Sequence, residues 1–160
     1  MAEHDDRERF WRAVLGIGTC MMVTKQGGSL HGRPMQALPD PEAEAVWFLS
    51  DAASHKEEEI TADPSTCLTF VDPEDDVYVS VSGEVELVHD REKLAELWSP
   101  EAEDYFEGPD DPNIVLLRFT PRIAGIWDGS ESDYDEDEEN GDTEEMPTEG
   151  TTITFGGSSE

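Results

Sequence analysis

The sequence predicts a mainly β fold with short helices (α+β), arranged as a small antiparallel barrel with the helices outside. Three observations point there. Short apolar and β-branched runs recur between Thr19 and Trp127. Clusters such as Gln26-Gly27-Gly28-Ser29 part them as turns. Stretches of helical period between the runs are few and short.

The elements follow in order. Asp5 or Asp6 can cap a first helix with Phe10, Trp11, Val14 and Leu15 on its apolar stripe and Gly16 ending it. Thr19-Cys20-Met21-Met22-Val23-Thr24 reads as a strand, and the glycine turn leads into a second over residues 30–38. Pro39, Pro41 and nearby acids predict a loop, and residues 45–50 a buried third strand. Ser54 and Glu57 have the spacing of a capping box, which opens a short helix to residue 62. Residues 66–71, 76–82 and 84–89 predict three strands, the last two parted by a turn at Ser82-Gly83. Asp90 opens a helix with Leu94, Leu97 and Trp98 on one face. Ser99-Pro100 starts another, because proline is tolerated at the first helical position. Residues 114–120 and 123–127 complete the strands. One domain over residues 1–128 is expected. Residues 129–150 hold 11 acids among 22 and almost nothing apolar, too little to offset ordering entropy. Residues 129–160 are therefore expected to be a disordered acidic tail, with 151–155 either an added edge strand or part of it.

The chain carries 40 Asp and Glu against 10 Lys and Arg. The acidity is general: residues 1–128 carry a net −18 and residues 129–160 a net −12. Such a surface repels nucleic acid and anionic membranes, which proteins grip through Lys and Arg clusters. It suits a salt-rich cytosol, where the Debye length falls to about 3 Å at 1 M and self-repulsion is screened. No apolar run approaches the ~20 residues of a membrane span, and no basic-then-apolar leader opens the chain, so a cytoplasmic protein is expected. Cys20 and Cys67 lie too far apart for a zinc or redox motif and read as small buried side chains.

In so acidic a chain the placement of cations is informative. Arg33 stands in the second strand and Lys56 just after the third. A helix starting at Ser54 would offer free N–H groups and a favourable dipole to an anion, with Lys56 as a charge and His55 as a donor. Glu57, Glu58 and Glu59 equally suit a first turn that stabilises itself. Arg33 can grip a phosphate with two N–H groups or pair with one of the many acids. His4, His31 and His89 have no partners at metal-ligand spacing, and the acidic run 131–139 lacks the spaced oxygen ligands of an EF-hand, so no metal is expected. Catalytic residues cannot be picked out among so many carboxylates. Trp127, ending an apolar strand, suits core or interface.

Several segments taken together resemble a known family. They are Gly18-Thr19-Cys20-Met21-Met22-Val23-Thr24, Leu30-His31-Gly32-Arg33-Pro34-Met35, Phe48-Leu49-Ser50-Asp51 with Ser54-His55-Lys56, and Tyr78-Val79-Ser80-Val81-Ser82-Gly83. Leu97-Trp98-Ser99-Pro100, Tyr105-Phe106-Glu107-Gly108-Pro109-Asp110-Asp111-Pro112-Asn113 and Ile126-Trp127-Asp128 follow in order. The chain resembles the general stress protein branch of the pyridoxamine 5′-phosphate oxidase-like family, whose fold is the FMN-binding split β-barrel. The resemblance implies a homodimer with FMN in a cleft between subunits. FAD or a deazaflavin is the alternative cofactor. It places Arg33, Ser50, His55 and Lys56 at the cofactor phosphate, and its motifs bring Pro34, Met35, Leu49, Ser54 and Trp127 to the same site. Tyr78 stands where the oxidases often place a glutamine near the flavin. Past Trp127 the oxidases continue with arginines and a histidine that bind the substrate phosphate. Here the chain runs Asp128-Gly129-Ser130-Glu131. The expectation is a flavin-binding general stress protein without pyridoxamine phosphate oxidase activity; the alternative is a flavin- or deazaflavin-dependent oxidoreductase acting on an unidentified small molecule.

Overall fold

The computed structural model describes residues 2–51, 63–100, 102, 106, 108, 111–129 and 150–155. Eight strands form one antiparallel sheet, joined by two described helices: α1 (Ala2–Ile17), β1 (Thr19–Gln26), β2 (Ser29–Gln36), β3 (Leu38–Asp40), β4 (Ala45–Asp51), β5 (Ser65–Asp72), β6 (Val77–Val88), α2 (Arg91–Leu97), β7 (Ile114–Asp128) and β8 (Thr151–Thr154). The strand order is β2-β1-β5-β6-β7-β4-β3, with β8 added beside β7. This mainly antiparallel architecture is consistent with a split-barrel-like fold.

Alternation along the strands decides what is inside. Cys20, Met22, Leu68, Phe70, Val79, Val81, Ala124 and Ile126 point inward, and Phe10 and Val14 of α1 close that core. Leu15 is mostly exposed, off the expected stripe, because it lies about 140° around the helix from Phe10. α1 ends at Ile17 rather than Gly16: Gly18 adopts φ +81° and its N–H donates to the Val14 carbonyl at 3.0 Å. Asp90 caps α2 as expected, accepting from the N–H groups of Glu92 and Lys93 at 3.1 Å. Leu94 packs in a second cluster with Trp47, Ile114 and Leu116 on the other side of β4 and β7.

Two breaks expected from the sequence do not end strands, and one strand expected to be continuous is split. The second strand, expected over 30–38, ends at Gln36, and after Ala37 Leu38–Asp40 pairs with β4 as a separate edge strand that accommodates Pro39. At the turn expected at Ser82-Gly83 β6 runs on unbroken, and the matching gap around Pro121 is bridged by a bulge within β7, where Arg122 is the extra residue. Gly83 is required there: a Cβ would collide with the Thr120 carbonyl oxygen and come 2.9 Å from Phe119 Cζ. The packed domain also extends past residue 128. Ile153 and Phe155 are buried in the main core, and the Phe155 ring lies 5.0 Å from Phe10 and 6.2 Å from Trp11. The helix expected from Ser54 and the acidic residues 130–149 lie outside the described residues.

Candidate functional site

The sheet path begins at β2 and ends at β3, two strands that are consecutive in the chain. The bend at Ala37, whose N–H donates to the Gly18 carbonyl at 2.7 Å, therefore brings the two ends of the sheet together without pairing them fully. A cleft of about 570 Å³ occupies this split. One wall is Thr19, Pro34, Met35 and Gln36; the other is Leu38, Leu49 and Asp51. Leu97, Ser99, Ala102 and Phe106, from the end of α2 and the segment after it, line the remainder. The size and mixed lining suit a small organic ligand, for which pockets of roughly 300–1,000 Å³ are usual.

Strand alternation divides the expected site residues. Pro34, Met35 and Leu49 line the cleft. Arg33 pairs in register with the fully buried Met22, so its side chain leaves β2 on the core side. Both terminal nitrogens of its guanidinium donate to Thr24 Oγ1 at 3.4 Å. Ser50, between Leu49 and Asp51, likewise turns inward and is 3% exposed. Its Oγ has no hydrogen-bond partner among the described residues. A buried hydroxyl without a partner costs roughly 1–3 kcal/mol, so a ligand oxygen arriving there would recover it. Ser54, His55 and Lys56 lie outside the described residues.

Tyr78 and Trp127 face each other across β6 and β7. Tyr78 Oη donates to Asp76 Oδ1 at 3.4 Å. The Trp127 indole lies against Gly125 and Gly150, where a Cβ would approach it within 2.9 and 2.8 Å. β7 is the direct partner of β4, but that pairing spans only Ile114 to Phe119, and Trp127, with Tyr78 opposite it, lies well beyond it along β7. Within one chain, the structure does not gather them with the residues of the cleft.

They share instead an outer sheet face with the cleft's edge. The register places Leu30, Gly32 and Pro34 of β2, Met21, Val23 and Lys25 of β1, Cys67, Thr69 and Val71 of β5, Tyr78, Ser80 and Ser82 of β6, and Ile123, Gly125 and Trp127 of β7 on it. None of these positions is acidic, in a chain with 40 acids among 160 residues. Leu30, Met21, Val71 and Ile123 are four of the five large hydrophobic residues exposed among those described. Acids return at the bulge and just beyond it, where Arg122 pairs with Glu84 at 3.1 Å and Arg118 with Glu86 at 3.8 Å.

Behind the cleft, Cys20 is the register partner of Met35, and burial pushes its thiol up to about 12, which leaves it protonated and unreactive. Sequence reasoning missed the cleft's Thr19, Gln36, Leu38, Asp51, Leu97, Ser99, Ala102 and Phe106. Thr19, Asp51, Leu97, Ser99 and Phe106 had a signal, since they stand in the segments that resemble the family. Among the described residues no group of His, Cys, Asp and Glu could hold a metal, and no helix is long and apolar enough to cross a membrane.

The profile of the pyridoxamine 5′-phosphate oxidase-like family matches residues 5–136. The chain belongs to this family. Its relatives place it in the general stress protein branch. General stress protein 26 of Bacillus subtilis (strain 168) is 31% identical over 113 residues, covering 69% of this chain and 79% of that protein. The crystal structure of the general stress FMN/FAD binding protein from Xanthomonas citri matches with a TM-score of 0.71 at 26% identity, over 81% of this chain and 92% of the other. A protein related to general stress protein 26 from Clostridium acetobutylicum matches in fold, with a TM-score of 0.73 at 20% identity over 94% and 95% of the two chains.

Proposed function

We propose that this family member binds a flavin mononucleotide in a cleft shared by two copies of the chain. The observation that carries the reading is the split between β2 and β4. A cleft lined by Pro34, Met35 and Leu49 follows β4 as far as Asp51, and on the core side of the same strand the buried hydroxyl of Ser50 has no partner among the described residues. Both strands lead to cations expected at a phosphate: Arg33 on β2 and, after β4, His55 and Lys56. The general stress protein of Xanthomonas citri described as FMN/FAD binding supports the choice of cofactor.

The acid-free outer face supports a second copy as the other wall. A body this acidic repels another like it, least where its surface carries no acid. Two-fold pairing through that face would set Tyr78 and Trp127 of one protomer near the cleft of its partner, which one chain alone does not do. Bound flavin would supply the redox chemistry. Arg33, Ser50, Ser54, His55 and Lys56 would hold its phosphate, and Pro34, Met35 and Leu49 would flank the ring. Oxidation of pyridoxamine phosphate is not part of this reading, because residues 129–160 contain no Lys, Arg or His to hold a substrate phosphate.

The test is a visible absorption spectrum of the protein purified in molar KCl, loaded with FMN and dialysed. Retention of about one flavin per subunit is expected. Complete loss of flavin would overturn the reading, and a native chromophore with a deazaflavin spectrum would replace the cofactor.

A further inference from the structure

We propose that Thr24 is a positioning residue: on the flavin reading above, on which this role rests, its buried hydroxyl aims the Arg33 guanidinium at the ligand phosphate and so sets a preference for a phosphorylated flavin. Among the described residues three hydroxyl side chains are buried: Thr24 at 1% exposed, Ser50 at 3% and Thr66 at 5%. A hydroxyl inside an apolar core costs free energy unless it is hydrogen-bonded, so each of the three asks what it is there to do. Thr66 donates from Oγ1 to the Pro64 carbonyl at 3.0 Å, a bond local to the turn that enters β5. Ser50 stands at the proposed phosphate. Thr24 turns its oxygen on Arg33, nine residues away on the neighbouring strand.

Strand geometry makes the contact. Arg33 stands opposite Met22, and Thr24 is the next residue of β1 on the same face. Such diagonal neighbours lie about 7–8 Å apart, within reach of a long side chain. Arg33 is half-buried, and both its Nη1 and its Nη2 donate to Thr24 Oγ1 at 3.4 Å. One oxygen thus takes the end of the planar fork. Both bonds are longer than the roughly 2.7–3.2 Å usual for N–H to O, so they orient the group more than they bind it. A guanidinium carries five N–H groups and grips a phosphate with a parallel pair of them. With the end of the fork set on Thr24, the pair on its side, from Nε and Nη2, has a fixed heading. Valine at position 24 would suit the strand and nearly match the shape, but it offers the fork no acceptor. Riboflavin carries the ring and ribityl chain of FMN without the phosphate. The ratio of the two affinities therefore reads the heading of Arg33, whereas a purely structural role for Thr24 would move both affinities together.

Fluorescence titration of the full chain with FMN and with riboflavin, in molar KCl at neutral pH, tests it. The native chain should prefer FMN by about tenfold or more, as a charged hydrogen bond gives. Thr24→Val should weaken FMN binding about fivefold and leave riboflavin binding within about twofold, so that the preference narrows. Thr24→Ala, read the same way, should behave as Thr24→Val, and Thr24→Ser, which keeps the hydroxyl, should restore the native preference. An unchanged preference in both Thr24→Val and Thr24→Ala, beside a native chain that prefers FMN, overturns the positioning role and leaves the flavin reading standing. Equal loss of both flavins in these variants assigns the hydroxyl to the fold alone and overturns the role as well. A native chain that binds neither flavin, or both alike, removes the phosphate assignment of Arg33 and the role of Thr24 with it.

Discussion

Replacing Phe155 by alanine tests whether the chain beyond the acidic stretch is part of the domain. The ring is 3% exposed and lies 5.0 Å from Phe10 at 59° and 6.2 Å from Trp11 at 72°. Removing a core phenylalanine costs about 3–5 kcal/mol, which includes the cavity it leaves. Phe155 ends a short edge strand that can move aside, so the lower end, about 3 kcal/mol, applies. Arg7 above the ring is about one-third exposed, and its loss of a cation–π contact adds only a few tenths. At about 2–4 °C per kcal/mol for a chain of this size, Phe155→Ala should lower Tm by about 6–12 °C. The assay is thermal unfolding by far-UV circular dichroism in molar KCl, with Phe155→Leu as a control that keeps most of the apolar volume. A Tm within about 2 °C of the native chain would refute the reasoning, since it would mean that the ring contributes nothing to the folded state.

Other consequences can be checked together. Arg33→Ala and Lys56→Ala should each weaken FMN binding by roughly 1.5–3 kcal/mol, the worth of a charged hydrogen bond, read by fluorescence titration; unchanged affinity in both would remove the phosphate assignment. Val71→Glu, on the middle strand of the acid-free face and exposed there, should shift the protein from dimer to monomer in sedimentation velocity with its circular dichroism unchanged. Gly83→Ala should cost about 1–3 kcal/mol in urea denaturation, because the added carbon meets the Thr120 carbonyl and not a flexible side chain. Cys20 gives a pH dependence of definite sign. Its thiol ionises near 9.0 when unfolded and about 12 when folded, so the folded state keeps its proton longer and stability falls as pH rises from 9 toward 12. Cys20→Ala should flatten the decline by roughly 1 kcal/mol between pH 8 and 10, measured by urea midpoints.

Local chemistry was legible along the chain. Asp90 as a cap, Phe10 and Val14 as a buried stripe, and the paired strands after the Gly27-Gly28 turn all depend on neighbours a few residues away. The motif at Arg33-Pro34-Met35 and the end of β4 at Leu49 marked the strands that border the cleft. Strand continuity was not legible. Ser82-Gly83 looks the same as a turn or as continuous strand until the partner strand is known, and it is β7, bulged at Arg122 and pressed close on Gly83, that carries β6 through.

By itself, the sequence determined the β-rich class, the order of most elements, the family and the extreme acidity, because each follows from residue type and short-range period. Tertiary structure decided the rest. Which side of β2 Arg33 takes, and therefore its separation from Pro34, depends on which face the sheet buries. That Tyr78 and Trp127 stand away from the cleft follows from register: β4 pairs with β7 only over Ile114 to Phe119, and Trp127 lies well past that stretch, which no local pattern encodes. Nor could composition separate Ile153 and Phe155 from an acidic tail. Their burial comes from a groove made by Phe10, Trp11 and the β7 edge, residues more than a hundred positions earlier for α1 and about thirty for β7.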